Sequence, residues 1–310
     1  MKKVMVGHPV SQTPSDADNL RGIGYILLAG LCSVASGALV KTLSSTLPSF
    51  EIAFVRAAVA FVLIAPFLYK AGLRVLISHR PGFMTLRSIN AAAIIALNIY
   101  AVGHMPLVDY TAVGFATPIL VIPFSALLLN EKMKFRRTLA TLIGFVGVIV
   151  IIRPVGTIAE GAPAALAATV LLAVGVLFVR MLSRTEPTIR LIAWSAGFTV
   201  IGLAWPTYAT WVTPNSWEWV LLIIGAVVGT GTQFFIIRAY EAGNPTLVAP
   251  FDYSRIIFAT LIGFVVFMEV PDLWTAFGSV LVVGSGLYIA LRGVKLGRKM
   301  TPPKDPNNPD

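Results

Sequence analysis

Long uninterrupted apolar blocks restrict the fold of this chain more than any other feature of its sequence. The segments 107–129 and 216–237 have the length of about 20 residues that a helix needs to cross the hydrocarbon core of a bilayer. In lipid, backbone amides must be satisfied within helices or a closed barrel, and these blocks lack the alternating pattern of barrel strands. With 56% hydrophobic and 12% charged residues, the chain is too apolar for a soluble domain. The sequence therefore predicts an all-α integral membrane protein.

Ten such blocks follow one another along the chain, separated by short loops that carry most of the basic residues. The fifth block is short, and we expect the stems of the Lys and Arg residues before it to reach the membrane interface. The predicted transmembrane helices cover residues 22–40, 50–69, 84–102, 107–129, 138–152, 163–181, 189–211, 217–237, 245–268 and 273–291.

The distribution of basic residues predicts the orientation of these helices. If the N-terminus is inside, 20 of the 24 Lys and Arg residues fall in cytoplasmic segments, Lys41 and Arg153 fall outside, and Arg56 and Arg255 lie within spans. Because Lys and Arg accumulate on the cytoplasmic side of membrane proteins, this asymmetry fits a multi-pass protein of the cytoplasmic (inner) membrane. Both termini are predicted to be cytoplasmic.

An internal repeat relates the two halves of the chain. The sequence VKTLSSTLPS from Val40 resembles VRMLSRTEPT from Val179 at an offset of 139 residues, and an offset of 138 carries Glu131 onto Glu269. Five helices per repeat is an odd number, so the halves must be inverted, an architecture that is typical of secondary transporters. The predicted organisation is an N-terminal tail (1–20), a first five-helix repeat (21–154), a second (155–293) and a C-terminal tail (294–310).

Over residues 20–293 the sequence resembles the EamA-like family of the drug/metabolite transporter superfamily. The residues that carry the resemblance are Arg56, Pro118, the pairs Asn130-Glu131 and Met268-Glu269, and the glycines Gly144, Gly147, Gly278 and Gly284. The resemblance implies a bacterial carrier with a central cavity between its halves, moving amino acids, related metabolites or cofactors. The small multidrug exporters of the superfamily use a carboxylate in their first helix, which this chain lacks in its first and sixth spans. This absence argues against a multidrug or cation exporter, which is kept as the alternative function.

Charges inside a membrane span are costly, which makes them candidates for function. Asp252 and Arg255 have the i, i+3 spacing that allows a pair on one helix face. Arg255 would hold a carboxylate or phosphate of the substrate while Asp252 binds an amine or a coupling proton, or the two would form a structural ion pair. Arg56 would contact substrate, pair with Asp109 or Glu51 as a gate, or extend to the interface.

Further polar and aromatic residues in the spans are candidates for a substrate cavity, or for hydrogen bonds and packing between helices. Asp109 begins the fourth span, where a carboxylate also suits the helix dipole. Pro118 would serve as a hinge or as a static bend. The remaining candidates are Asn90, Asn98, Tyr100, Tyr110, Gln233 and Tyr253.

Several function classes are not expected. The three histidines, His8, His79 and His104, lie in the tail or in loops, so no catalytic set or metal cluster is predicted, and no GxxxxGK phosphate loop occurs. The net charge of +10 comes from loops and does not predict nucleic-acid binding. The predicted partners are a small-molecule substrate and the lipid bilayer, and no cofactor is expected. Proton coupling and a homodimer are compatible with the sequence. A channel and a scaffold or sensor without transport are the rival classes.

Overall fold

The computed structural model of the protein describes residues 16–72, 76–129, 135–152, 159–182, 185–243 and 245–300. Within these ranges every regular element is a helix, which confirms the all-α prediction. A 3₁₀ helix covers Ala249–Tyr253. The α-helices are α1 (Asp16–Leu43), α2 (Ser49–Ala71), α3 (Pro81–Gly103), α4 (Leu107–Gly114), α5 (Thr117–Leu129), α6 (Phe135–Ile152), α7 (Ala162–Leu182), α8 (Thr188–Ala209), α9 (Ser216–Ala242), α10 (Pro245–Val248), α11 (Ser254–Phe267) and α12 (Leu273–Met300).

The outer surface of the helix bundle suits a lipid environment. In the described part of the chain, seven helical stretches are long and apolar enough to cross a membrane, and Thr138–Ile152 and Leu273–Tyr288 are shorter apolar helices. Large apolar side chains point outward, including Phe67, Ile201 and Val265, and such a continuous apolar surface is a property of proteins that contact lipid. The prediction of a membrane protein is confirmed.

Prolines and a capping box explain where several helices begin. Pro48, Pro106 and Pro187 precede α2, α4 and α8 in extended conformation, and Pro81 is the first residue of α3, where its missing N–H leaves no hydrogen bond unmade. At the start of α9, the Asn215 side chain accepts from the Glu218 N–H at 2.9 Å, and the Glu218 carboxylate accepts from the Asn215 N–H at 2.8 Å.

Two spans that the sequence predicts as continuous are interrupted. The fourth, 107–129, breaks at Phe115 and Ala116 between α4 and α5. Pro118 has no N–H for the Gly114 carbonyl, and the Thr117 hydroxyl donates to that carbonyl instead at 2.8 Å. The ninth, 245–268, is replaced over its first part by α10 and the 3₁₀ helix, which contains Pro250.

The first and last helices reach further into the polar ends than predicted. Helix α1 begins at Asp16, within the segment assigned to the tail, and carries Asp16 and Asp18 in its first turn, where acidic residues favour a helix start. Helix α12 continues to Met300, and the sequence holds no proline after Pro271 until Pro302.

Helices of the first half pack mainly on helices of the second. Helix α1 lies along α9, α3 along α7 and α8, α2 along α8, and α6 along α12. Two large apolar clusters result, one built mainly on α1, α2 and α3 and the other on α4, α6 and α7. Tyr110 of α4 packs against both clusters, which places this residue at the centre of the molecule.

Candidate functional site

The two interrupted spans meet at their breaks. Phe115, at the break between α4 and α5, contacts Tyr253 at the end of the 3₁₀ helix, with 4.8 Å between ring centroids. The guanidinium carbon of Arg255 lies 5.9 Å from the centre of the Phe115 ring, within the range of a cation–π contact. Broken helices in a membrane are tolerated where they line a cavity or are buried in protein, so this junction marks a candidate site.

Asp252 and Arg255 form an ion pair beside this junction. Arg255 Nε donates to Asp252 Oδ1 at 2.7 Å, and the two side chains are 23% and 24% exposed. A Cβ on Gly30 of α1 would lie 3.1 Å from Arg255 Cγ, so the small residue leaves room for the arginine stem. The pairing that the i, i+3 spacing predicts is confirmed, and Arg255 of α11 has a carboxylate partner in the adjoining 3₁₀ helix.

Arg56 lies on α2, where it faces α1 and α9. A Cβ on Gly229 of α9 would overlap Arg56 Nη2 and would lie 2.9 Å from Ser36 Oγ, so the guanidinium occupies space that only glycine leaves open. Arg56 is partly buried and makes no hydrogen bond or ion pair with any residue that the structure describes.

The gate pairing considered for Arg56 is not formed. Asp109 Oδ1 accepts from the Thr275 hydroxyl at 2.7 Å and thereby joins α4 to α12. Glu51 is fully buried, and its Oε2 accepts from the Val212 N–H at 3.0 Å. Both carboxylates therefore have other contacts, and neither neutralises Arg56.

Tyr110 lies near both arginines. Its phenol lies within electrostatic range of both Arg56 and Arg255. The Tyr253 hydroxyl approaches α12 so closely that a Cβ on Gly286 would overlap it. We use the term central cluster for Arg56, Tyr110, Asp252, Tyr253 and Arg255, which come from α2, α4 and the region where the 3₁₀ helix meets α11.

The other predicted site residues lie outside the central cluster. Asn90 donates from Nδ2 to the Leu171 carbonyl at 3.1 Å and so joins α3 to α7. Tyr100 is 39% exposed and stacks on His104 with 4.1 Å between ring centroids. Asn98 is partly buried on α3, Gln233 is exposed on α9, and Pro118 is exposed at the second position of α5.

Two polar contacts were missed at the sequence level. Lys41, at the end of α1, forms an ion pair with Glu269 after α11 and donates to the Met105 carbonyl at 2.7 Å. Glu269 Oε2 also accepts from the Leu107 N–H at 2.9 Å. From the sequence, Lys41 was expected on the outer side at the end of the first span and Glu269 at the end of the ninth, and the available signal was that each follows a span of a different repeat.

The second missed contact is made by Glu186, in the segment between α7 and α8. The buried Glu186 Oε1 accepts from the Ser78 hydroxyl at 2.6 Å and the His79 N–H at 3.0 Å, and the carboxylate pairs with Arg190. Burial raises the pKa of Glu186, but the hydrogen bonds from Ser78 and Arg190, the Arg190 charge and the His79 N–H outweigh it and lower the pKa to about 2. This contact fastens the connection before α3 to α8.

An apolar groove of about 530 Å³ lies between α6 and α12, lined by residues such as Ile143, Leu281 and Tyr288. It contains none of the central-cluster residues, so it is not the polar site. Within the described residues, no group of three or more His, Cys, Asp or Glu side chains is placed to hold a metal ion.

Apolar helices long enough to cross a bilayer, two of them interrupted beside a small set of interior charges, are typical of integral membrane transport proteins. Its family follows from comparison with known sequences. The chain belongs to the EamA-like transporter family, which matches residues 20–153 and 159–291. These two segments agree with the division into two repeats, and the resemblance identified from the sequence is confirmed.

Curated relatives of the chain are transporters of small metabolites. An S-adenosylmethionine uptake transporter from Rickettsia conorii is 28% identical over 87% of this chain and 92% of its own length. A pseudopaline exporter from Pseudomonas aeruginosa is 31% identical over 89% and 97%, and a riboflavin transporter from Vibrio cholerae is 31% identical over 90% and 96%. A solved crystal structure shares the fold with a TM-score of 0.59 at 20% identity, covering 92% of this chain and 99% of that one.

Proposed function

We propose that the protein is a secondary transporter that moves a small polar organic metabolite, such as an amino acid or a cofactor, across the cytoplasmic membrane by alternating access. The observation that carries this proposal is the junction of the two broken spans at Phe115 and Tyr253, beside the Asp252–Arg255 pair. The central cluster is then the substrate site. Breaks in corresponding helices of two repeats are where transporters of this architecture bind their substrates.

The packing of the helices supports two inverted repeats of five spans each, and the loop charges support cytoplasmic termini. The offset of 138 residues carries Phe115 onto Tyr253, so the residues that meet at the junction are equivalent in the repeat. The repeat also exchanges α1 with α7 and α3 with α9, and the observed packing of α1 on α9 has its counterpart in that of α3 on α7. Such equivalence is what a pseudo-two-fold axis between the halves requires.

The contact of Lys41 with Glu269 fits a closed outer face in this arrangement. It joins the end of α1, the start of α4 and the segment after α11, with both side chains 16% exposed. For substrate to enter or leave at that face, these three segments must separate. The ion pair is therefore proposed as an outer closure that breaks in each cycle, driven by a substrate or proton gradient.

The chain's relatives supply the substrates with which the proposal is tested. The purified protein in liposomes is expected to show saturable counterflow of radiolabelled S-adenosylmethionine, riboflavin or an amino acid. Non-saturable flux that unlabelled substrate inside the liposomes does not accelerate would indicate a channel. Absence of flux for the whole panel would contradict transport.

A further inference from the structure

We propose that Arg56 binds the carboxylate of the substrate, so that the transported class consists of organic acids and amino-acid-like zwitterions. This inference rests on the proposed function, because it specifies the chemistry of the same site. It also reverses a sequence-based assignment, in which Arg255 was the candidate for the carboxylate.

The two arginines of the central cluster differ in how their charge is compensated. Arg255 donates to Asp252 at 2.7 Å. Arg56 forms no ion pair with a carboxylate among the described residues, and Asp109 and Glu51 accept from Thr275 and Val212 instead. An uncompensated cation inside a membrane protein is costly, and an anionic ligand is the partner that removes this cost.

The surroundings of Arg56 keep its guanidinium available. Gly229 allows the group to lie against the backbone of α9, and Ser36 Oγ nearby donates its proton to the Gly225 carbonyl at 2.9 Å. The five N–H donors of the guanidinium form a planar fork that matches a carboxylate. Tyr110 adds a phenol within electrostatic range of both Arg56 and Arg255, and a phenol can donate a hydrogen bond to an anion.

The test compares two probes that differ only by the carboxylate: S-adenosylmethionine and its decarboxylated analogue, with riboflavin as a third. Apparent affinities are measured by thermal-shift titration of the purified full chain. Wild type is expected to bind S-adenosylmethionine better than the analogue, and Arg56→Gln to bind it roughly 10- to 100-fold more weakly than wild type does. Arg56→Lys keeps the charge but loses the planar fork, and its affinity for S-adenosylmethionine is expected to lie between those of wild type and Arg56→Gln.

Arg87 provides the matched control. It lies two turns into α3 and was counted among the cytoplasmic basic residues, and its Nη1 donates to the Leu191 carbonyl at 2.6 Å and to Ser195 Oγ, so the protein itself supplies partners for this guanidinium. Arg87→Gln is expected to lower the Tm without ligand and to keep the preference for S-adenosylmethionine. Arg56→Gln is expected to leave the Tm without ligand unchanged or higher, because no protein partner is lost.

Four results would overturn the carboxylate site: equal binding of the two matched probes, unaltered binding by Arg56→Gln, a loss of Tm in Arg56→Gln as large as in Arg87→Gln, or failure of wild type to bind S-adenosylmethionine. Binding and counterflow of riboflavin alone would reject this inference and leave the transporter proposal standing. Carboxylate-dependent binding without flux would support the carboxylate site and contradict the transporter proposal.

Discussion

The arginines inside the helix bundle differ in how their charge is compensated. Arg255 has a carboxylate, Arg87 has a carbonyl and a hydroxyl, and Arg56 has no hydrogen-bond or ion-pair partner among the described residues. An arginine with a protein partner contributes to stability, because removing either member of the pair leaves the other unpaired. An arginine without such a partner is available to bind a ligand.

Replacing one member of the Asp252–Arg255 pair is expected to cost stability. Asp252→Asn leaves a cation without its counter-charge, and we expect a loss of about 1–3 kcal/mol in thermal or denaturant unfolding together with loss of transport. The double variant Asp252→Asn/Arg255→Gln should recover much of the stability and none of the transport. Recovery of transport by the double variant would show that the pair is structural.

Arg238 and Glu241 offer a control for that experiment. They have the same i, i+3 spacing at a distance of 3.5 Å, but their side chains are 51% and 59% exposed. Exposed pairs contribute little to stability, so Arg238→Gln is expected to leave both stability and transport near wild type.

Gly229 tests whether the position of the Arg56 guanidinium matters. A methyl group there would overlap Nη2, so Gly229→Ala is expected to displace the guanidinium and weaken substrate binding about tenfold, with little loss of Tm. Gly231 lies on the same helix, and the nearest atom to an added Cβ is Phe235 Cε2 at 4.0 Å. Gly231→Ala should therefore bind substrate as wild type does, and equal behaviour of the two variants in a binding titration would contradict the account.

At the scale of elements, the sequence predicts the helices well and the breaks poorly. Apolar length is a local signal, and in the described part of the chain it predicted the helical class and the seven stretches that are long and apolar enough to cross a membrane. The breaks depend on contacts between distant segments, because Phe115 and Tyr253 meet only after folding. Pro118 was identified in the sequence as a hinge or a static bend, but a proline in a span is compatible with either a bend or an interruption.

Pro118 is expected to influence the transport rate more than the stability. Pro118→Ala restores an N–H that can reach the Gly114 carbonyl and so favours a continuous fourth span. We expect slower counterflow with an unchanged or higher Tm. Pro66, inside α2, serves as the control, and Pro66→Ala should not slow transport. Wild-type flux in Pro118→Ala would indicate that the break does not take part in the cycle.

The Glu186 contact makes a prediction about pH. Its pKa of about 2 lies below the usual value of 4.5, so its stabilising effect is complete above pH 4.5 and is lost as the pH falls through 2. Glu186→Gln is expected to lower the Tm by a few degrees, and by the same amount at pH 6 and pH 8. A difference in Tm between the variant and wild type that changes between these two pH values would contradict the low pKa.

At the scale of the molecule, the repeat was the most informative part of the sequence. It predicted the two-part organisation that the family match supports, and its offset relates Phe115 to Tyr253, although that relation became informative only once the contact was known. The contact of Lys41 with Glu269 could not be predicted, because it joins two span ends from different halves and depends on how the halves pack. The same holds for the space that Gly229 leaves for Arg56.

The two halves are proposed to open and close around the central cluster, and a cross-link that holds the outer face shut is a direct test of this opening. Lys41→Cys and Glu269→Cys, combined with Cys32→Ser to remove the one native thiol, can be joined by a short reducible bis-thiol cross-linker. Counterflow in liposomes is expected to fall to background when the two cysteines are cross-linked and to return after reduction, while each single-cysteine variant stays insensitive to the reagent. Undiminished counterflow through the cross-linked protein would mean that this face does not open during transport, and it would contradict alternating access as described.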